Sequence, residues 1–354
     1  MEQSYFLGAN TAAGFVSLYG GFCRGGGDYL RIIKGGPGTG KSGFMRAIAR
    51  EAARRGLDTE LVRCSGDPDS LDGVYLPALQ LGWCDGTAPH VAEPGVFGAD
   101  SDYVNLGQFC RTPLSPEDAA RVRALTAAYR EKYRRAYALL AAAGRVEEAL
   151  APPSPSPEAQ ERANAALCAL IARSEISGGP GTLSRRFAGA LSCLGPIKDD
   201  SGLAACRLVY ACEDGCGLAS GALAAARDAA LARGARVVEC LSPFDAHTLD
   251  ALLLPELSTA FVRGTASERA VRRVGLDRLC GELEQVKALR RQRRAVRRER
   301  ERCAASACVL LAEAKTLHDE LEAVYRPYMD FPALDAFTAR EIARVFGEKS
   351  LRGN

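Results

Sequence analysis

Eight consecutive residues near the start of the chain have the types and spacing of a phosphate-binding loop. They are Gly35, Gly36, Pro37, Gly38, Thr39, Gly40, Lys41 and Ser42, and they match the Walker A pattern G-x-x-x-x-G-K-S. In such a loop the glycines let backbone N–H groups approach a nucleotide β-phosphate, and the lysine bridges the β- and γ-phosphates. The serine hydroxyl is a ligand for Mg²⁺. The sequence therefore predicts that this segment binds ATP and Mg²⁺.

Asp85 is the candidate for a second Mg²⁺ ligand and for a catalytic role. It ends an apolar run over residues 79–84, where a Walker B aspartate would hold the metal directly or through water. The alternative is that Asp85 and Gly86 only form a turn, because this pair is common at the ends of strands.

Two further carboxylates are candidates for the base that orients an attacking water. Asp67 and Asp69 follow a strand, at the sheet edge where ligands of open α/β sheets bind. Either residue could be the base, or both could simply cap the turn. His90, five residues after Asp85, is a candidate phosphate sensor, and the alternative is a turn histidine satisfied by backbone bonds.

The elements that must position these residues are visible around the loop. A β-branched apolar run at 29–34 precedes it, and Phe44, Met45, Ile48 and Ala52 follow it at helical spacing. Further strands are predicted near 59–64 and 79–84. The order β-α-β-β indicates a mostly parallel sheet.

An internal repeat suggests that this unit occurs twice. Residues 71–79 and 249–257 share five of nine identities at a shift of 178. In that register Lys41 becomes Ala219 and Asp85 becomes Arg263, and the second loop starts with two carboxylates, which would repel phosphate. The second copy is therefore predicted to be degenerate. Arg263 could still serve the neighbouring phosphates as an arginine finger.

The predicted fold class is α/β: a P-loop NTPase fold with two tandem, mostly parallel units and with inserted and C-terminal helical segments. The active unit is placed at 1–114, a helical segment with a proline-rich connector (152–157) at 115–177, the degenerate unit at 178–274 and a helical region at 275–354. The helical pattern from 275 to 325 is too long for one compact helix, so it is expected to project or to fold back as a hairpin.

Composition limits the class of protein. Of 354 residues, 47% are hydrophobic and 25% are charged, which is typical of a globular chain. Apolar runs fall far short of the roughly 20 residues that a membrane span needs, and no secretory signal is recognised at the N-terminus. The thirteen cysteines are scattered and odd in number, so they are interpreted as small apolar residues in a reducing compartment. The expected location is the cytoplasm, with no membrane contact.

A basic segment at 287–302 holds nine Lys or Arg and two Glu. Clustered positive charge attracts polyanions, so nucleic acid is one candidate partner. An acidic protein partner, or simply a solvated helix face, is the alternative, because no aromatic residues interleave with the arginines.

Taken with their spacing, these motifs resemble a family of bacterial P-loop ATPases with tandem nucleotide-binding units. The resemblance is carried by residues 35–42, 64–73 and 85–90, and extends to 314–319 and 328–331. It implies ATP and Mg²⁺ as ligands and names no substrate. Relatives of this kind often keep Gly-Lys-Ser in the second loop, and this chain departs from them there.

The expected activity is Mg²⁺-dependent ATP hydrolysis at one live site in the first unit, with a regulatory second unit. The second hypothesis is a kinase that passes the γ-phosphoryl group to a nucleotide or another small molecule. The third is a nucleotide-gated binding protein with negligible turnover, whose arginine-rich helix holds a partner.

Overall fold

The computed structural model describes residues 2–88, 92–176, 178–264 and 272–347. The strands in these ranges are β1 (Glu2–Phe6), β2 (Gly8–Thr11), β3 (Gly14–Ser17), β4 (Tyr29–Lys34), β5 (Thr59–Arg63), β6 (Leu71–Leu76), β7 (Leu81–Asp85), β8 (Ser101–Asn105), β9 (Thr182–Phe187), β10 (Gly189–Ser192), β11 (Gly195–Lys198), β12 (Leu208–Cys212), β13 (Arg236–Leu241), β14 (Leu249–Leu254), β15 (Thr259–Arg263) and β16 (Arg272–Val274). The helices are α1 (Lys41–Arg54), α2 (Pro116–Leu150), α3 (Pro157–Ala172), α4 (Ser201–Ala204), α5 (Ala219–Ala232), α6 (Leu283–Tyr325) and α7 (Phe331–Phe346).

One mixed sheet of 12 strands runs through the molecule, in the order β16-β12-β15-β14-β13-β9-β1-β5-β6-β7-β4-β8. From β1 to β8 only β6 runs against its neighbours, and from β9 to β16 only β14 does so. The hairpins β2–β3 and β10–β11 form two small separate sheets. The prediction of an α/β fold with a mostly parallel sheet is thereby confirmed.

The two halves of the sheet meet where β1 and β9 pair antiparallel, with Phe6 opposite Phe187. Both phenylalanines are fully buried and belong to one apolar cluster. Because this junction is antiparallel, the carboxyl ends of β4 and β7 lie at one edge of the sheet, and those of β12 and β15 lie at the opposite edge.

The predicted strand–loop–helix around residues 35–40 is confirmed. Ile32 and Ile33 on β4 are fully buried, as expected of a central parallel strand. The apolar face of α1 packs against Ile33 through Met45 and Ile48, both fully buried. Burying each such side chain stabilises the fold by about 1.5–3 kcal/mol, so both ends of the loop are held firmly.

The two longest helices lie side by side. Ser115 caps α2, with its side chain accepting a hydrogen bond from the Asp118 N–H. The pairs Lys132–Glu313 and Arg300–Glu147 show that α2 and α6 are antiparallel. Within the described ranges, every helix is too short or too polar to cross a lipid bilayer.

The C-terminal region differs from the prediction. Of the two expected arrangements, a projecting segment or a hairpin, the hairpin is wrong, because residues 283–325 form one continuous helix of 43 residues. This helix is about 64 Å long at 1.5 Å per residue. It stays ordered against the rest of the chain because α2 covers its central part, burying Ala304, Ala307 and Leu311. A second helix supplies the apolar surface that a single long helix would otherwise lack.

Candidate functional site

The loop between β4 and α1 contains two backbone positions that favour glycine. Gly38 and Gly40 have φ angles of +70° and +82°, in the left-handed region. A Cβ atom on Gly40 would also lie 2.7 Å from the Leu334 Cδ2 atom of α7, and one on Gly38 would lie 3.2 Å from the carbonyl oxygen of Glu322 on α6. These two glycines therefore allow the left-handed backbone of the loop, and they leave room for α6 and α7 to approach it closely.

Lys41 and Asp85 come together at the carboxyl ends of β4 and β7. The Lys41 Nζ atom lies 3.6 Å from Asp85 Oδ2 and donates hydrogen bonds to the carbonyl oxygens of Gly35 and Gly36, at 3.0 and 2.9 Å. The ammonium group is thus folded back over the loop. A cation and a carboxylate at this edge are the groups that a nucleotide triphosphate with Mg²⁺ would need.

The contacts of Asp85 are compatible with both sequence interpretations, a turn residue and a Mg²⁺ ligand. Its Oδ1 atom accepts hydrogen bonds from the Thr87 N–H and O–H, at 2.8 and 2.6 Å, which is a turn cap. Its Oδ2 atom faces Lys41 instead. The residue is buried, so one oxygen has a structural task and the other is directed to the loop.

Ser42 has a structural contact of its own. Its hydroxyl oxygen accepts a hydrogen bond from the Leu71 N–H at 3.0 Å. In the other half, Ser220 accepts from the Leu249 N–H at the same distance, although that loop has no lysine. The Ser42 hydroxyl oxygen also accepts a longer hydrogen bond from Arg46 Nε, at 3.3 Å. A metal ion could share this oxygen with the Leu71 N–H once the Arg46 contact is given up, because a hydroxyl oxygen has two lone pairs.

Matched serine substitutions separate these two tasks. We expect Ser42→Ala and Ser220→Ala to destabilise the protein equally, by about 1 kcal/mol, because each leaves a backbone N–H without its acceptor. Only Ser42→Ala should also weaken the response of ATP turnover to Mg²⁺. Urea unfolding and a magnesium titration of turnover measure the two effects. Identical Mg²⁺ responses in the two variants would show that Ser42 is structural alone.

The two candidate bases, Asp67 and Asp69, lie in the turn after β5. The Asp67 carboxylate lies 3.5 Å from the Lys315 Nζ atom of α6, and its backbone carbonyl accepts a hydrogen bond from the Ser70 N–H. Asp69 is exposed in the same turn. The structure thus gives Asp67 an ion-pair partner on α6, and a role for either residue as the base stays a prediction. His90 lies outside the described residues.

Sequence reasoning missed Glu322, which contacts the loop from α6. Its Oε1 atom accepts a hydrogen bond from the Gly38 N–H at 3.1 Å, and it lies 3.4 Å from the His318 Nε2 atom. The hydrogen bond from His318 lowers the pKa of the Glu322 carboxyl despite burial, and the Gly38 N–H and Lys41 act in the same direction. The one available signal was His318, which lies in the 314–319 motif one helical turn before Glu322.

The loop at 213–218 in the other half is already filled by side chains of the chain itself. The Asp277 carboxylate accepts hydrogen bonds from the Gly215 and Cys216 N–H groups, at 3.1 and 2.9 Å, and from Arg290 Nε of α6 at 2.7 Å. The Arg293 guanidinium lies directly against Gly217. The Gly215 and Cys216 N–H groups, which could otherwise receive an anion, are therefore occupied.

Arg263 lies in this second region, at the edge of the sheet opposite to Lys41 and Asp85. Its guanidinium bonds to Asp250 and to Asp214, with nitrogen–oxygen distances of 2.5 and 3.1 Å. The structure does not bring Arg263 to the first loop of the same chain, because the halves of the sheet run in opposite directions. The arginine-finger hypothesis is therefore not supported within one chain.

Replacing Arg263 tests this placement. We expect Arg263→Ala to destabilise the protein by about 1–3 kcal/mol, since two neighbouring carboxylates lose their donor, and to leave ATP turnover per folded molecule unchanged. Urea unfolding and turnover at saturating ATP are the measurements. A tenfold fall in turnover would restore the arginine-finger interpretation.

The basic segment 287–302 is divided between inward and outward arginines. Arg290 and Arg300 bind carboxylates of other elements, whereas Arg291, Arg294 and Arg298 are exposed and have no carboxylate partner within the described residues. Arg291, Arg294 and Arg298, spaced by three and four residues, thus form one exposed basic face of the helix.

Comparison of the chain with protein-family models, with curated proteins and with solved structures finds no match. The chemistry of the site is therefore inferred from its own residues.

Proposed function

We propose that the chain is a Mg²⁺-dependent ATP-binding protein that hydrolyses ATP at one live site, formed by residues 35–42 and Asp85. The observation that carries the proposal is the meeting of Lys41 and Asp85, 3.6 Å apart, beside a glycine loop with two left-handed positions. A phosphate-binding loop, a cation and a Mg²⁺-type carboxylate at the carboxyl ends of adjacent parallel strands are the parts that phosphoryl transfer uses.

The residues fit the ligands that the proposal needs. The Gly38 N–H already binds an anionic oxygen, that of Glu322, and the start of α1 adds its positive dipole. Lys41 would exchange its two carbonyl acceptors for phosphate oxygens. Ser42 and Asp85 offer the hard oxygen ligands that Mg²⁺ prefers, and the bound ion would neutralise phosphate charge.

The second half supports the proposal of a duplicated unit with a single live site. Outward from the β1–β9 junction the strand orders correspond, and the Ser42–Leu71 bond corresponds to that of Ser220–Leu249. Gln80 and Ser258, at the repeat shift of 178, both have a left-handed φ, of +49° and +46°. Asp277 fills the second loop, so ATP would be excluded from it.

Two wider assignments belong to the same proposal. The first is membership of the bacterial tandem P-loop ATPase family, which rests on the motifs of the sequence. The second is a cytoplasmic location, which the cysteines support. All thirteen are free thiols, and burial raises the pKa of Cys84 and Cys212 to about 12, so these thiols are unreactive near neutral pH.

Turnover measurements distinguish the three candidate activities. The ATPase releases phosphate from ATP and Mg²⁺ without any other substrate, whereas a kinase consumes ATP only when a phosphate acceptor is added. A nucleotide-gated binding protein binds ATP tightly with negligible turnover, and it releases its partner when the charge of the arginine-rich helix is neutralised. Assays with and without RNA, DNA and candidate acceptors therefore give a different result for each.

A further inference from the structure

We infer that the Glu322 carboxylate is an internal substitute for a nucleotide phosphate, which closes the first loop until ATP displaces it together with the C-terminal end of α6. This inference rests on the proposed function of the loop and concerns how access to it is regulated.

The position of Glu322 conflicts with a bound phosphate. Its carboxylate uses the Gly38 N–H, one of the donors that point at phosphate in a loop of this type. The helix backbone is also close, because a Cβ atom placed on Gly38 would lie 3.2 Å from the Glu322 carbonyl oxygen. A phosphate and the Glu322 side chain cannot hold the same N–H group together. Nucleotide binding therefore requires this contact to open.

The second loop contains the same arrangement in a permanent form. There the anion is Asp277, with 3% of its side chain exposed, two backbone N–H donors and an ion pair to Arg290. Glu322 has 36% of its side chain exposed, one backbone donor and a neighbouring histidine. A half-exposed carboxylate with a single backbone bond is far easier to displace than a buried one with two. Both loops thus hold an internal anion, and only the first can exchange it.

Displacement of Glu322 would also change the packing of α7 against the loop and α1. Leu334 of α7 contacts Gly40 of the loop, and Phe337 stacks on Phe44 of α1 with ring centroids 6.1 Å apart. The turn between α6 and α7 spans only residues 326–330, so movement at the end of α6 is passed to α7. Access of ATP to the loop is therefore coupled to the packing of both C-terminal helices.

The test is nucleotide binding by the full-length chain, measured by calorimetry with Mg²⁺ and a non-hydrolysable ATP analogue. Glu322→Gln removes the charge while keeping the shape, and Glu322→Ala removes the side chain. The matched control is Glu320→Gln, an exposed position on the same helix. We expect both Glu322 variants to bind about tenfold more tightly than the wild type, the factor when about one molecule in ten is open. The control should bind like the wild type.

Hydrogen exchange of the wild type gives a second readout. Amides of residues 315–325 should exchange faster when the analogue is bound, because the end of α6 has lost its contact with the loop.

The outcomes separate the inference from the function on which it rests. Equal affinity in wild type and both Glu322 variants, or weaker binding in the variants, overturns the inference and leaves the ATP site in place. Unchanged exchange in residues 315–325 on binding overturns it as well. Absence of binding heat in every variant, at millimolar analogue, overturns the proposed function and the inference together.

Discussion

Lys41→Ala is expected to reduce ATP turnover at least about 100-fold and to remove most of the binding affinity. The Lys41 ammonium group lies against the loop and donates to the carbonyl oxygens of Gly35 and Gly36, and loss of one preorganised donor at a catalytic site costs about 10²–10³ in rate. Phosphate release and analogue binding, measured on the same preparation, give both effects.

The control for Lys41→Ala is a lysine with a structural task in the same half. Lys34 donates to the carbonyl oxygens of Gly86 and Ala92 and pairs with Glu93, so Lys34→Ala should alter stability without abolishing binding. If Lys41→Ala hydrolysed ATP at the wild-type rate, residues 35–42 would not be a catalytic phosphate site.

Asp85→Asn is expected to reduce turnover about 100-fold while the protein keeps its stability. Asparagine preserves the cap on Thr87, because its carbonyl oxygen accepts the same hydrogen bonds as Asp85 Oδ1. It loses the negative charge that a Mg²⁺ ligand supplies. Turnover at saturating Mg²⁺ and urea unfolding measure the two quantities.

Asp245 provides the matched control for Asp85, since it caps a turn in the other half through the His247 N–H and the Thr248 hydroxyl. Asp245→Asn should therefore leave turnover unchanged. Should Asp85→Asn behave like Asp245→Asn in both assays, Asp85 is a turn residue only.

Elements with strong local signals could be predicted from the sequence. Helix α2 has a capping serine followed by proline, and α1 has apolar residues at helical spacing, so local chemistry determined both. The strand at 29–34 was recognisable because it is buried on both faces and reads as a continuous apolar run.

The missed elements depend on distant partners. Strand β6 begins Leu71-Asp72-Gly73, which is typical of a turn, and it is a strand because β5 and β7 supply hydrogen bonds on both sides. The single long helix α6 depends likewise on α2. The local motif was enough to identify Lys41 and Ser42 as site residues. Glu322, in contrast, contacts Gly38 from 284 positions away in the sequence, and no local pattern predicts such a contact.

The junction at Phe6 and Phe187 limits how far the second half can diverge. Its loop has Ala219 at the position of Lys41, yet Phe187 and Ala190 share one apolar cluster with Phe6 and Ala9. Asp199 in that half also binds Ser4 and Arg63 of the first half. Under the proposed function, substitutions in the loop of the second half would be tolerated, whereas those that reshape this junction would destabilise the first half as well.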